Sequence, residues 1–308
     1  MTINQVKTED EKTVRAIVAS IPALASYHGP IARLGGLTNK VYQLGDRVLR
    51  IAGAGTEEYI NRAHEAEAAR IAAEAGVSPS LLYVDSASGV MVTQLIANAT
   101  TMTPASFKSR PYAAARAGEA LKRLHQSGGI FPFRFELFAM IDEYLKVLST
   151  KDVALPMGYH GVVRQAQNIR TVLAKNPAPL APCHCDPLCE NFIDTGDRMW
   201  IVDWEYSGMN DPMWDLGDLS VEGSFDEAQD HELLQAYFSG PPSPADHGRM
   251  VIYKAMCDLL WTLWGLIQLA NKNPADDFSA YADGRFARCK ALMAEPAFAA
   301  HVAAVEIA

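Results

Sequence analysis

The period of the apolar positions changes twice along the chain. In residues 8–21, TEDEKTVRAIVASI, Thr and acids lead into Val14, Ile17, Val18 and Ile21 at helical spacing, which predicts an amphipathic helix. IARLGGLTNKVYQLG and DRVLRIAG follow, short stretches rich in Val, Leu, Ile and Tyr and broken at Gly35-Gly36 and Gly45-Asp46. That punctuation predicts an antiparallel meander. Residues 57–75, EEYINRAHEAEAARIAAEA, are strong helix formers that stop at Gly76. LLYVDSASGVMVTQLI then predicts two more strands joined at Ser86 to Gly89, completing a five-stranded sheet with one helix packed on it.

After a polar, loop-like segment, ANATTMTP, the period becomes helical, with helices expected at 105–126, 135–149, 160–175, 226–238, 243–271 and 276–294. Strand-like FIDTGDRMWIVDW interrupts them. The reading is an α+β fold of two lobes: a β-rich lobe over 1–96, a linker over 97–104 and a helical lobe over 105–308. There is no internal repeat or low-complexity tract.

Composition narrows the function classes. The chain has 308 residues, enough for two lobes with their own cores, and its 49% hydrophobic and 20% charged content is that of a soluble globular protein. A net charge of -9 and the lack of a basic stripe argue against nucleic acid and weakly favour cationic substrates. MVIYKAMCDLLWTLWGLIQLA, residues 250–270, could pass for a membrane span, but Lys254, Asp258 and Gln268 make a buried core helix the better reading. Five cysteines, and Glu9 to Lys12 where a signal peptide would be apolar, lead us to expect reduced thiols in the cytoplasm.

The densest polar chemistry is CHCDPLCENFIDTGDRMWIVD, residues 183–203. Three cysteines and His184 suggest a metal site, but C-x-C-x-x-x-C lacks the second ligand pair of structural zinc sites, so inert burial is expected. The alternative is Asp186, Asn191 and Asp203. Phosphoryl transfer needs one carboxylate to accept a hydroxyl proton, and an amide oxygen with a second carboxylate to hold Mg²⁺ on the phosphates. Five residues of loop can bring Asp186 and Asn191 to one point, and Asp203 ends the apolar run IVD.

His184-x-Asp186-x-x-x-x-Asn191 with Asp203 downstream resembles the catalytic and metal-binding loops of the aminoglycoside phosphotransferase and choline kinase superfamily, relatives of protein kinases. DWEYSGMNDPMWDLGDLSVEG is similar to the choline/ethanolamine kinase signature through Asp203, Glu205, Tyr206, Asn210, Asp215 and Glu222. The resemblance, to the bacterial choline kinase type, implies a protein-kinase-like fold and an ATP- and Mg²⁺-dependent kinase. Asp186 would be the base, with Asn191 and Asp203 as metal ligands. His184 and Asp215 would brace the catalytic loop by hydrogen bonds.

Judged alone, Trp261 and Trp264 would be core residues. The family's W-x-x-W helix and downstream Tyr line a choline pocket, which implies a cage of Tyr206, Trp261, Trp264 and Tyr281 with Glu222 as the carboxylate. Aromatic faces suit a quaternary ammonium, which has no hydrogen to donate. In the β-rich lobe the resemblance assigns Thr38 and Asn39 to a phosphate-covering turn, Arg50 with Glu65 to the phosphates, and Gln94 to Ile96 to the nucleotide base. His64 and His125 read as ordinary histidines. The expected partner is a small cationic amino alcohol, choline first, with ethanolamine, another amino alcohol or an aminoglycoside as rivals. A non-catalytic cation-binding protein is the rival of another class, and homodimerisation is left open. Whether Cys185 and Cys189 are sensitive to thiol reagents is open as well.

Overall fold

The computed structural model describes residues 4–5, 8–35, 39–53, 60–274 and 276–308. Its N-terminal part is an antiparallel sheet of β1 (Asn4–Gln5), β2 (Ile31–Gly35), β3 (Lys40–Leu44), β4 (Arg47–Ile51), β5 (Leu81–Asp85) and β6 (Val90–Gln94). The spatial order β1-β2-β3-β4-β6-β5 places β6 between β4 and β5 and adds the two-residue β1 at the far edge. Helix α1 (Thr8–Ser20) lays Val14 and Val18 against Tyr42, Leu44, Leu49 and Val92. Strand alternation sends the intervening residues to the opposite face, where α2 (Arg62–Glu74) lies: Arg50 pairs in register with Val41 and Met91, and Met91 joins a core with Ala68, Ala69 and Ala72. The sheet therefore carries a helix on each face. The predicted helix at 57–75 begins in the described residues at Arg62, because Asn61 caps it by accepting the Ala63 and His64 N–H groups. Residues 57–59 lie outside the described residues.

The rest is helical, with short strands inserted. The predicted helix 105–126 divides into α3 (Pro104–Ser109) and α4 (Ala113–His125) at Pro111, where the chain cannot continue helical hydrogen bonding. Within the expected linker, β7 (Thr100–Thr101) pairs with a later strand. α5 (Leu137–Leu148) and α6 (Tyr159–Lys175) fall where the periodicity put them. Then come β8 (Ala181–Cys183), β9 (Phe192–Asp194), β10 (Met199–Ile201) and β11 (Gly208–Asn210), followed by α7 (Pro212–Glu222). Sequence reading missed α7, whose polar positions had been absorbed into a motif, and α11 (Pro296–Glu306). Between them lie α8 (Glu227–Phe238), α9 (Pro244–Ala270) and α10 (Phe278–Ala294).

α9 is the axis of this part, touching α5, α7, α10 and α11. It is long and apolar enough to cross a membrane, but 72% of its most apolar window is buried against the rest of the fold. Gly217 lets α7 close on it, since a Cβ there would stand 2.9 Å from the Met250 carbonyl. That approach brings Asp218 of α7 to the Cys257 thiol of α9.

Candidate active site

The loop after β8 is held by one buried carboxylate. Asp215, fully buried in the first turn of α7, accepts the backbone N–H of His184 (2.7 Å) and of Cys185 (2.9 Å). Its Oδ2 also meets His125 Nε2 at 3.0 Å, and His125 Nδ1 meets the Tyr237 hydroxyl at 3.0 Å. The Trp214 indole N–H donates to the Cys185 carbonyl at 3.1 Å. These contacts hold Cys185 at φ 67, a left-handed conformation that costs a non-glycine residue about 1–2 kcal/mol. The turn aims the next residue, Asp186, out of the core. Asp203 is left-handed as well, at φ 70, and His184 Nε2 bonds the Val202 carbonyl (2.9 Å), tying the two loops together.

Asp186 is half-buried. Burial, then the charges of Glu222, Asp203 and Glu205, push its pKa up to about 8. Asn191 donates its amide N–H to the Asp186 carbonyl at 3.0 Å, which leaves the amide oxygen as an acceptor. Across from it, carboxylate oxygens of Glu65, Asp203 and Glu205 lie within 4.8 Å of one another. Burial and Asp203 also raise the Glu205 pKa. This surplus of negative, hard oxygen ligands fits a divalent cation such as Mg²⁺.

Three basic or amide side chains face those acids. Arg50 pairs with buried Glu65 and reaches Asp203 at 3.4 Å, while its Nε and Nη2 have no hydrogen-bond partner among the described residues. Buried guanidinium donors without acceptors fit phosphate oxygens. Arg62 holds Glu65 at 2.7 Å and Glu205 at 3.4 Å. Asn39 is buried rather than on a free turn, and donates to Glu205 at 3.3 Å and to Asp203 at 3.5 Å. Thr38 lies outside the described residues. Gln94 and Ile96 line a cleft of about 610 Å³ with Ser80, Asn98, Arg198 and Trp200. The Gln94 side-chain amide is committed to the Asp46 carbonyl at 3.1 Å.

The expected aromatic residues form one chain of edge-to-face rings. Tyr206 to Trp261 is 6.5 Å between centroids, Trp261 to Trp264 6.2 Å, and Trp264 to Tyr281 5.8 Å. Phe278, which sequence reading missed, packs 5.4 Å from Trp264. Glu222 is not a free carboxylate beside them, because Arg285 Nη2 lies 2.5 Å from its Oε1.

The cysteines read as bystanders. All five are free and buried, and the Cys189 thiol is pushed up to about 12 by burial first and then by Glu190 and Glu222. His125, Cys183 and Asp215 converge, but both imidazole nitrogens and both carboxylate oxygens are already hydrogen-bonded and the thiol meets the Asn210 carbonyl. His125 is thus a buried support of the loop that carries Asp186, not an ordinary histidine. No local pattern marks it, since its partners are 90 and 112 residues away. Arg285 and Arg62 were legible in principle, standing four residues after Tyr281 and three before Glu65 on their helices.

A braced acid beside an oxygen-rich cation site, on a small antiparallel sheet followed by a helical part, fits a phosphotransferase of protein-kinase-like fold. The profile of the phosphotransferase enzyme family matches residues 31–250. A choline/ethanolamine kinase family protein from Mesorhizobium loti is 68% identical in sequence, with 97% of this chain and 99% of that chain covered and a TM-score of 0.92. The choline kinase LicA from Streptococcus pneumoniae is 26% identical over 93% of this chain and 99% of that one, TM-score 0.76. LicA in complex with AMP is 26% identical over 96% and 100%, TM-score 0.73. The chain belongs to the choline/ethanolamine kinase family, enzymes that transfer a phosphoryl group to an alcohol.

Proposed function

We propose that the protein phosphorylates the hydroxyl of choline, using ATP and Mg²⁺. The observation that carries this is the run of Tyr206, Trp261, Trp264 and Tyr281 rings, whose last member, Tyr281, lies within reach of the charge of Asp186, since a head group without N–H donors is best held by ring faces. Similarity to LicA, which has been crystallised with AMP, supports an adenine nucleotide as the donor, and we place its base at Gln94 to Ile96 on the family resemblance. Five free thiols suit a reducing, cytoplasmic setting.

In this reading Asp186 orients the choline hydroxyl and accepts its proton as the oxygen attacks the γ-phosphorus and ADP departs. Its raised pKa makes that role conditional: a cation beside it favours the ionised carboxylate, so a positively charged substrate helps to prepare its own base. Asn191 and Asp203 would hold Mg²⁺, which when bound neutralises phosphate charge. Arg50, fixed by Glu65, positions the phosphates with its unpartnered donors. Glu222 acts through Arg285 rather than as a bare counter-charge. We assign residues 1–96 to the nucleotide-side lobe, 97–104 to the linker and 105–308 to the catalytic and substrate lobe, on the separate core of α1 with the sheet and on the cleft at Gln94 to Asn98.

The test incubates the protein with ATP, Mg²⁺ and choline, ethanolamine, other amino alcohols or an aminoglycoside, and reads the phosphorylated product. Choline is expected to be the best acceptor and Asp186→Ala to abolish turnover. Absence of phosphocholine, or an undiminished rate in the variant, overturns the proposal.

A further inference from the structure

The groups expected to receive a substrate cation already hold one that belongs to the chain. Arg285 is 7% exposed and stands four residues after Tyr281 on α10, so the helix lays its guanidinium over that ring, 4.8 Å from the centroid. Nη2 is 2.5 Å from Glu222, and Nη1 is 3.3 Å from Asp258.

The nearby carboxylates are otherwise committed or closed to solvent. Asp258 is also held by Arg288 at 2.6 Å. Asp218 is 1% exposed and accepts the Cys257 thiol at 2.9 Å through Oδ1; its Oδ2 has no hydrogen-bond partner among the described residues but is shut away from solvent, so it is not offered to a ligand in the pocket. Asp203 and Glu205 turn to Arg50, Arg62 and Asn39. Asp186 is reserved for the hydroxyl in the reaction proposed above. A primary ammonium brings three N–H donors into the pocket, each costly when left without an acceptor. A trimethylammonium brings none and needs only ring faces and a modest field.

We propose that Arg285 is a specificity-determining residue: by occupying Glu222 and one face of Tyr281 it withholds the acceptor a primary ammonium requires and tilts the pocket toward an N-methylated head group. The inference rests on the amino-alcohol kinase reading. It implies that the cage discriminates through an internal cation as well as through its rings.

The test compares kcat/KM for choline and ethanolamine, with ATP and Mg²⁺, in the wild type and in Arg285→Gln, Arg285→Lys and Glu222→Gln, each checked for folding by thermal melting. Arg285→Gln frees Glu222, and the choline-to-ethanolamine ratio is expected to fall by about tenfold or more, mainly through a lower KM for ethanolamine. Arg285→Lys keeps a cation beside Glu222 and stays closer to the wild-type ratio. Glu222→Gln removes a carboxylate that Arg285 already holds and shifts both alcohols alike. An unchanged ratio in folded Arg285→Gln overturns the proposal. So does a selective loss of ethanolamine turnover in Glu222→Gln, because Glu222 then reads the ammonium directly; that arm decides alone if Arg285→Gln does not fold. A wild type that phosphorylates neither alcohol refutes the kinase reading itself.

Discussion

Replacing Asp215 by Asn isolates the brace under the loop that carries Asp186. The wild-type carboxylate is wholly buried and accepts three hydrogen bonds, from His184 N–H, Cys185 N–H and His125, at 2.7, 2.9 and 3.0 Å. An amide of the same shape offers one oxygen, so its NH₂ must face one of two backbone N–H donors. One buried donor loses its acceptor, about 1–3 kcal/mol, and the remaining bonds lose their charge assistance, for a total of about 3–5 kcal/mol. The loosened backbone includes Cys185, held at φ 67 immediately before Asp186. A displacement of about 1 Å there costs on the order of 100-fold in kcat. Urea unfolding followed by circular dichroism reads the first number, and steady-state phosphorylation of choline at saturating ATP reads the second. KM values should stay near wild type, because ring faces and cleft are built on other elements. A variant as stable as wild type, or one that loses stability while keeping kcat, refutes the view that Asp215 sets the position of Asp186.

Asp186→Asn should stabilise the ligand-free protein in a pH-dependent way. Folded Asp186 keeps its proton up to about 8 whereas the unfolded residue ionises near 3.8, so the wild type loses stability as pH rises through that window and the variant does not. The melting-temperature difference should therefore grow between those limits and flatten above them, by roughly 2–4 °C per kcal/mol relieved; a difference independent of pH contradicts the assignment. Thiol reagents should leave native activity intact and modify the five buried cysteines only on unfolding, because thiols closed to solvent and raised in pKa are inert. Rapid inactivation that ATP and Mg²⁺ prevent would place a reactive thiol at the site instead. Trp264→Ala should raise the KM for choline by about tenfold to thirtyfold with a smaller change in kcat, the loss of one cation–π face together with its packing; an unchanged KM removes Trp264 from the pocket.

The amount legible without coordinates differs from one part of the site to another. Asp186, Asn191 and Asp203 stand close together in sequence around a single hairpin, β9 to β10, so their spacing already expressed their convergence. The Trp261, Trp264 and Tyr281 set was legible through the family resemblance, since by spacing alone the two tryptophans read as core; the structure joins the three rings. The Arg50–Glu65 pair was legible only through the family resemblance, and the structure joins the two side chains. Where a helix boundary depended on one local device, such as Pro111 between α3 and α4, the pattern blurred it, because hydrophobic period alone does not see a backbone break.

What the sequence determined by itself is the set of elements whose cause is local: apolar period, turn residues, and a dense polar motif that names the class of chemistry. What only the tertiary structure decided is which charges neutralise which. His125 supports Asp215 across 90 residues, Asn39 clasps Asp203 and Glu205 across more than 160, and Glu222 is taken by Arg285 before any substrate arrives. A linear pattern records which side chains can ionise. Burial and the distance to a partner on another element set what each ionised group does, and both exist only once the chain has packed.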